Sequence, residues 1–89
     1  METYYNYVLR SVKDKKFYIG YTSNLQNRML EHQKGSVSST KYRRPLVLIY
    51  YEVSFDLESA IHREKYLKTT YGHRYLKNRI KENGDGIPL

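Results

Sequence analysis

Five side chains of types that take part in catalysis could point into one concave region of the folded chain. They are Tyr7, Tyr18, Arg28, His32 and Glu64. The set combines two hydroxyls, a guanidinium, an imidazole and a carboxylate, which are groups that can bind an anion, transfer a proton and pair with a cation. Whether they meet depends on the strands and helices that carry them.

A β-hairpin is predicted for the stretch that carries the two tyrosines. Residues 4–10 and 16–21 are rich in aromatic and β-branched residues, and the segment between them is polar and rich in lysine. Because side chains alternate between the faces of a strand, the hydroxyls of Tyr7 and Tyr18 could meet on one face of the hairpin. The alternative is that these rings only fill the core of a small sheet.

A first helix is predicted over residues 24–34. Ser23 can serve as its N-cap, with Gln26 completing a capping box, and Gly35 supplies a C-cap. The limits of the helix are therefore marked at both ends.

Two polar residues of this helix, Arg28 and His32, are four apart, as are the apolar residues Leu25 and Met29. Residues at this spacing are neighbours on a helix surface. We expect the apolar pair to face the sheet and the polar pair to lie beside it, at the edge of the core.

A basic loop follows the helix. Residues 35–45 are rich in serine and include Lys41, Arg43 and Arg44. We expect the loop to be flexible and these three cations to contact the phosphates of a nucleic acid. Residues 46–53 then form a nearly continuous apolar and tyrosine run, which predicts a strand packed on both faces.

Glu64 lies within the apolar face of a second predicted helix, residues 56–69. The other residues of that face, spaced by three and four, are Leu57, Ala60, Ile61 and Leu67. An ionised carboxylate that faces a core is costly unless a cation or a metal pairs with it. Burial against Arg28 or a tyrosine hydroxyl and a functional role fit this pattern equally well.

The C-terminal part is predicted to form a third helix over residues 73–82, with Leu76 and Ile80 inward. Residues 84–89 are expected to be a flexible tail. The predicted architecture is one α+β domain over residues 1–83, in which a three-stranded, mainly antiparallel sheet is flanked by three helices.

The chain is small and strongly basic. Its 89 residues include 16 Lys and Arg against 9 Asp and Glu, for a formal net charge of +7. This excess points to a polyanion, either nucleic acid or an anionic membrane, and the 11 tyrosines favour nucleic acid, because aromatic rings among cations suit bases and phosphates. The lack of cysteine excludes disulfides and thiolate zinc sites, and the lack of a signal-like or bilayer-length apolar segment predicts a cytoplasmic protein.

The order of these motifs resembles the GIY-YIG nucleases, specifically their small single-domain members in bacteria. Tyr18-Ile19-Gly20 is the second half of the signature, and it leads into the helix with Arg28 and His32. Residues 40–45 and 60–65 also look like those members, so the resemblance covers nearly the whole chain.

Two positions depart from the family pattern. The first half of the signature reads Tyr5-Asn6-Tyr7 where the family name has Gly-Ile-Tyr. The family's late asparagine usually follows the glutamate by about one helix, whereas Asn78 comes 14 residues after Glu64. The resemblance carries Asn78 over as a nucleic-acid contact.

The resemblance also implies roles for the five side chains in hydrolysis of a phosphodiester. Tyr7 or Tyr18 would be the base, which requires a tyrosine pKa well below about 10. Glu64 would be the protein ligand of a single metal ion, Mg²⁺ or Mn²⁺. Arg28 would clamp the phosphate, and His32 would hydrogen-bond a tyrosine or relay its proton.

The function implied is a metal-dependent endonuclease that acts on nucleic acid, with DNA as the expected polymer and no small-molecule cofactor. The alternatives are a non-catalytic nucleic-acid-binding module with a vestigial site and a structural partner of a larger complex. The sequence leaves open the oligomeric state, the structure of the substrate and which tyrosine is the base.

Overall fold

The computed structural model describes residues 2–80 and 87–88. The strands are β1 (Tyr4–Ser11), β2 (Phe17–Thr22), β3 (Leu46–Ser54) and the two-residue β4 (Ile87–Pro88). The helices are α1 (Leu25–Lys34), α2 (Leu57–Leu67) and α3 (Thr70–Arg79), with a short 3₁₀ turn at Lys41–Arg43. No helix among the described residues is long and apolar enough to cross a membrane.

The strands form one antiparallel sheet in the order β2-β1-β3-β4. The prediction of an α+β fold with three antiparallel strands and three helices is confirmed. The fourth strand was not predicted: Ile87–Pro88 pairs with β3, and the rest of the predicted tail, residues 84–86 and 89, lies outside the described residues.

The central strand β1 contributes to a separate apolar cluster on each face of the sheet. Tyr7 and Leu9 pack with Met29 of α1 on one face. Val8 packs with Leu67 of α2 on the other, where α3 also contributes. Because α1 and the α2–α3 pair lie on opposite faces, the sheet is a middle layer between them.

The N-terminal ends of α1 and α3 differ from the prediction in ways that their caps explain. The N-cap of α1 is Asn24 rather than Ser23, since the Asn24 side chain accepts a hydrogen bond from the backbone N–H of Asn27. Thr69 caps α3 by accepting from Gly72, so that helix starts three residues earlier than predicted. Ser, Thr and Asn are all good caps, and local geometry chooses among them.

The inward face of α2 is narrower than predicted. Ala60 and Leu67 are fully buried and Ile61 is half-buried, but Leu57 is 44% exposed. Asn6 of β1, also fully buried, donates from its amide to the backbone oxygen of Ala60 at 2.9 Å. The departure from an apolar residue at position 6 thus gives the strand a hydrogen bond to the helix.

Candidate active site

Tyr7, Tyr18 and His32 come together on the α1 face of the sheet. The ring centroids of the two tyrosines are 6.3 Å apart, and the His32 ring lies 5.6 Å from Tyr7 and 5.3 Å from Tyr18. Tyr7 is 1% exposed and His32 is fully buried, while Tyr18 is half-buried. Of the three side chains, Tyr18 is therefore the one most open to a ligand.

A line of hydrogen bonds passes through the two buried side chains. The Tyr7 hydroxyl is 2.9 Å from Nε2 of His32, and Nδ1 of His32 is 2.8 Å from the hydroxyl of Thr40. Nε of Arg28 donates to the Tyr7 hydroxyl at 3.3 Å. Since α1 supplies Arg28 and His32 one turn apart, both reach the same oxygen from one helix.

The tautomer of His32 decides the direction of these bonds. If the Thr40 hydroxyl donates to Nδ1, then Nε2 carries the proton and donates to Tyr7, so the Tyr7 oxygen accepts twice and its own proton is free for Tyr18. The opposite tautomer requires Thr40 to donate elsewhere, and its other contact, the Val37 backbone oxygen, is at 3.5 Å. Because 3.5 Å is long for a hydrogen bond from a hydroxyl, the first arrangement is favoured.

Burial governs the charge states of both groups. It lowers the pKa of His32 to about 4, with the nearby Arg28 charge acting in the same direction. It also raises the pKa of Tyr7 to about 12, although the hydrogen bond from Arg28 opposes the rise and the neighbouring Tyr18 adds to it. Near neutral pH, His32 is therefore uncharged and Tyr7 is a phenol, not the low-pKa base that the sequence allowed for it.

Arg28 keeps its charge and is directed at the site from the rim. Its hydrogen bond to Tyr7 and its bond to Glu31, at 2.9 Å, raise the pKa of the guanidinium further above its ordinary value. Its side chain is 33% exposed. A cation that is anchored to a buried hydroxyl but reaches solvent is suited to meet a phosphate.

Gly20 of β2 lies directly against the Tyr7 ring. The two residues are partners in the β1–β2 register. A Cβ atom at position 20 would be 2.6 Å from the Tyr7 hydroxyl oxygen and 2.8 Å from the ring carbon that bears it. The last residue of the Tyr18-Ile19-Gly20 motif therefore provides the space for the Tyr7 hydroxyl.

Glu64 lies on the face of α2 that Ala60 and Leu67 turn toward the sheet. Its side chain is 19% exposed, and its Oε2 is 3.6 Å from Nζ of Lys68. Helix α2 packs on β1 and β2 from the side opposite α1. The Glu64 carboxylate and the Tyr7 hydroxyl therefore belong to different layers, and the edge strand β2 is next to both. A pocket shared by Glu64 and the tyrosine hydroxyls stays a prediction.

The donor set fits an ion held only in part by the protein. The described residues contain no group of three or more His, Cys, Asp or Glu side chains that could hold a metal. Glu64 offers one carboxylate, whose lysine partner is 54% exposed and easily displaced. Mg²⁺ is commonly bound by one or two carboxylates together with water and substrate phosphates, so this set suits Mg²⁺ and not a closed structural site.

Two of the three loop cations predicted to contact phosphate hold the loop in place. Arg44 donates to the backbone oxygens of Gln33 and Lys41, at 3.2 and 3.0 Å. Arg43 donates to the Phe17 oxygen at 3.3 Å. Their hydrogen bonds and the 3₁₀ turn give the loop, predicted to be flexible, a defined backbone path.

Lys41 of this loop and Lys13 of the hairpin turn border an open groove of about 460 Å³. Arg44 also lines the groove, and His32 contributes to its wall. Both lysines are exposed. Asn78 is exposed on α3, on the opposite side of the sheet.

One residue of the hydrogen-bonded line was not among the predicted site residues. Thr40 is fully buried and orients His32, yet it comes from the loop after α1. A threonine next to a run of cations in a serine-rich loop carries no periodic signal, so its burial depends on how the loop closes over the helix.

A comparison with protein families matches residues 3–81 to the GIY-YIG catalytic domain. The chain belongs to the GIY-YIG family. The match includes Tyr7, Tyr18, Arg28, His32 and Glu64, so all five predicted site residues lie within the domain. The resemblance inferred from the motifs is confirmed.

Bacterial relatives cover most of the chain. A UPF0213 protein of Staphylococcus haemolyticus is 37% identical over 78 residues, or 86% of this chain and 94% of the relative. A UPF0213 protein of Streptococcus pyogenes is 43% identical over 65 residues, or 72% and 70%. The solution NMR structure of a UPF0213 protein from Bacillus halodurans aligns with a TM-score of 0.54 and 26% identity, covering 86% of this chain and 84% of that one.

Proposed function

We propose that this GIY-YIG protein is a metal-dependent endonuclease that hydrolyses phosphodiester bonds of nucleic acid, with DNA as the expected polymer. The observation that carries the proposal is the hydrogen-bonded line Thr40–His32–Tyr7–Arg28, which converges on the Tyr7 hydroxyl next to the more accessible Tyr18. Burying an imidazole and a phenol costs free energy unless their polar atoms have hydrogen-bond partners. A core that only needed packing would use apolar side chains here, so the satisfied polar line favours a functional role.

Tyr18 is the base in this proposal, and Tyr7 supports it. Tyr7 is enclosed by His32 and Arg28, whereas Tyr18 is half-buried and can touch a water molecule. Because its oxygen accepts from two donors, Tyr7 can donate a hydrogen bond to Tyr18 and so stabilise negative charge on the Tyr18 oxygen. In its phenolate form, Tyr18 would take the proton of the attacking water while the water oxygen bonds to phosphorus and the leaving oxygen departs.

Arg28 binds the phosphate that is cleaved. The guanidinium is fixed through Nε by Tyr7 and through Nη1 by Glu31, which leaves its remaining N–H groups for a phosphate oxygen. Since the charge on the phosphate oxygens grows in the transition state, a fixed cation there lowers the barrier.

Glu64 holds the metal ion. Its carboxylate would contribute the single protein ligand, while water and the substrate phosphate supply the others. When bound, the ion neutralises charge on the phosphate and the leaving oxygen. Displacement of Lys68 from Glu64 accompanies this binding, and Lys68 is exposed enough to move away.

The lysines of the groove beside His32 support the flanking phosphates. Lys13 and Lys41 are exposed and border an open groove, so they can follow a polyanionic backbone without reading its sequence. Binding is expected to be electrostatic, as the net charge of +7 suggests.

A panel of substrates tests the proposal. Purified protein is incubated with single-stranded, duplex, flapped and branched DNA and with RNA, each with Mg²⁺, Mn²⁺ or EDTA, alongside the Tyr18→Phe variant. We expect cleavage of at least one substrate with either ion, and none with EDTA or with the variant. Binding without cleavage of every substrate would favour the non-catalytic module instead.

A further inference from the structure

A network of charged and aromatic side chains joins α2 to strand β3 on the face of the sheet away from α1. Arg63 donates to both carboxylate oxygens of Glu52, from Nε at 2.7 Å and from Nη2 at 2.9 Å. The Tyr50 hydroxyl donates to the same carboxylate and lies 3.3 Å from the hydroxyl of Tyr75. Both carboxylate oxygens are therefore occupied by fixed donors.

The guanidinium of Arg63 is also enclosed by aromatic rings. Its Cζ lies 5.1 Å from the ring centre of Tyr66 and 5.0 Å from that of Tyr75. Two parallel hydrogen bonds and two ring faces fix both the plane and the position of a guanidinium. An ammonium group, which acts as a point charge, would not be held in one plane in this way. Arg63 is thus held in one geometry, with its side chain 33% exposed.

Arg63 directly precedes Glu64, the metal ligand proposed above. Successive residues of a helix are about 100° apart around its axis, so fixing the direction of Arg63 fixes the direction of Glu64. The Asn6 amide, which donates to the Ala60 oxygen at 2.9 Å, holds the same helix one turn earlier. Apolar contacts alone would leave this rotation less defined, because the hydrophobic effect has no direction.

We propose that Glu52 and Arg63 are positioning residues that hold α2 at the rotation in which Glu64 can bind the metal ion. This inference rests on the proposed function. A partly buried ion pair need not stabilise a fold, since well-packed apolar residues often serve equally well in its place. A fixed direction is what the forked pair supplies beyond packing.

The test measures metal binding apart from activity. Mn²⁺ is titrated into the protein while paramagnetic broadening of the backbone amide signals around Glu64 is followed by NMR, and the Mg²⁺ concentration for half-maximal cleavage is measured in parallel. The variants are Glu52→Gln, which keeps the shape but not the charge, and Arg63→Lys, which keeps the charge but not the fork. We expect each variant to raise the Mn²⁺ concentration for half-maximal broadening and the Mg²⁺ concentration for half-maximal cleavage by about tenfold.

Core variants on the same face serve as controls for reduced stability. Leu76→Ala and Ile80→Val remove apolar contacts near the network without removing a charge. The unfolding free energy of each variant is measured, and Glu52→Gln and Arg63→Lys are each compared with the control that has lost a similar amount of stability. In both controls, we expect the Mn²⁺ concentration for half-maximal broadening and the Mg²⁺ concentration for half-maximal cleavage to stay within about twofold of the parent values.

The outcomes separate this inference from the proposed function. Parent-like Mn²⁺ binding by Arg63→Lys and Glu52→Gln would overturn the positioning role while leaving the nuclease intact. An equal loss in the matched core controls would also overturn it, because general destabilisation would then account for the effect. A parent protein that neither broadens around Glu64 nor cleaves any substrate would overturn the proposed function, and this inference with it.

Discussion

Nε2 of His32 lies 2.9 Å from the Tyr7 hydroxyl, and neither side chain is more than 1% exposed. The contact joins helix α1 to the central strand of the sheet. Because Arg28 also donates to this hydroxyl, one oxygen joins two buried groups of the candidate site to a cation at its rim. The consequences of removing it can be measured.

Tyr7→Phe should lower both stability and activity. The loss of the hydroxyl leaves a buried imidazole nitrogen and a guanidinium N–H without their partner, which we expect to cost about 1–3 kcal/mol of unfolding free energy. Cleavage should fall by about 10²-fold or more, since the charge on Tyr18 loses its support. Urea unfolding and initial cleavage rates check the two effects. Tyr71→Phe, at a residue 69% exposed, is the control and should change neither.

His32 should make the fold sensitive to mild acid. Its pKa is about 4 in the folded protein against an ordinary 6.5, so protonation favours the unfolded chain. The stabilisation is complete above about pH 6.5 and is lost as the pH falls toward 4, by up to about 3 kcal/mol. Unfolding free energies at several pH values should show this slope in the parent and in His62→Gln, an exposed site, but not in His32→Gln. Equal slopes in all three proteins would refute it.

The hairpin contacts of the site were predictable from the sequence, because the period of a strand is regular. Alternation along two neighbouring strands placed Tyr7 and Tyr18 on one face, and a spacing of four placed Arg28 beside His32. The prediction used only local geometry, which is why it extended to these four residues.

Contacts made by loops and between layers were not predictable in this way. Thr40 reaches His32 only because the loop closes over α1, and Arg44 binds backbone oxygens instead of standing free. For Glu64, periodicity gave the buried face of its helix but not the side of the sheet on which the helix packs. These outcomes depend on tertiary packing, which a periodic pattern does not encode.

Gly20→Ala should impair the site more than its small size suggests. The added methyl group would lie 2.6 Å from the Tyr7 oxygen, so the ring must shift and its contacts with His32 and Arg28 must lengthen. We expect a decrease of about 1–3 kcal/mol in unfolding free energy and a marked decrease in cleavage. Gly72→Ala is the contrasting variant, since its methyl would clash with backbone atoms where α2 meets α3. It should lower stability but leave the cleavage rate of the folded fraction unchanged. Loss of cleavage in folded Gly72→Ala together with normal cleavage in Gly20→Ala would argue against the candidate site around Tyr7.

The basic residues of the loop should separate into two kinds. Lys13→Gln with Lys41→Gln should reduce the slope of log affinity against log salt for duplex DNA by about 0.9 for each phosphate that is no longer neutralised, with little change in stability. Arg44→Gln should instead lower the unfolding free energy, because the Gln33 and Lys41 oxygens lose a donor. Fluorescence anisotropy at several salt concentrations and urea unfolding distinguish the two. An unchanged salt slope in the double lysine variant would remove these lysines from the binding surface.

Cleavage by Glu64→Gln tests the central claim most directly. The amide keeps the size of the side chain but loses the charge that would hold a metal ion, so folding and nucleic-acid binding should match the parent protein. Loss of the ion removes several kcal/mol of charge stabilisation, and each 1.36 kcal/mol is tenfold in rate, so Mg²⁺-dependent cleavage should fall by at least about 10²-fold. A Glu64→Gln protein that cleaves at the parent rate in Mg²⁺ would contradict the assignment of Glu64 and the metal-dependent mechanism built on it.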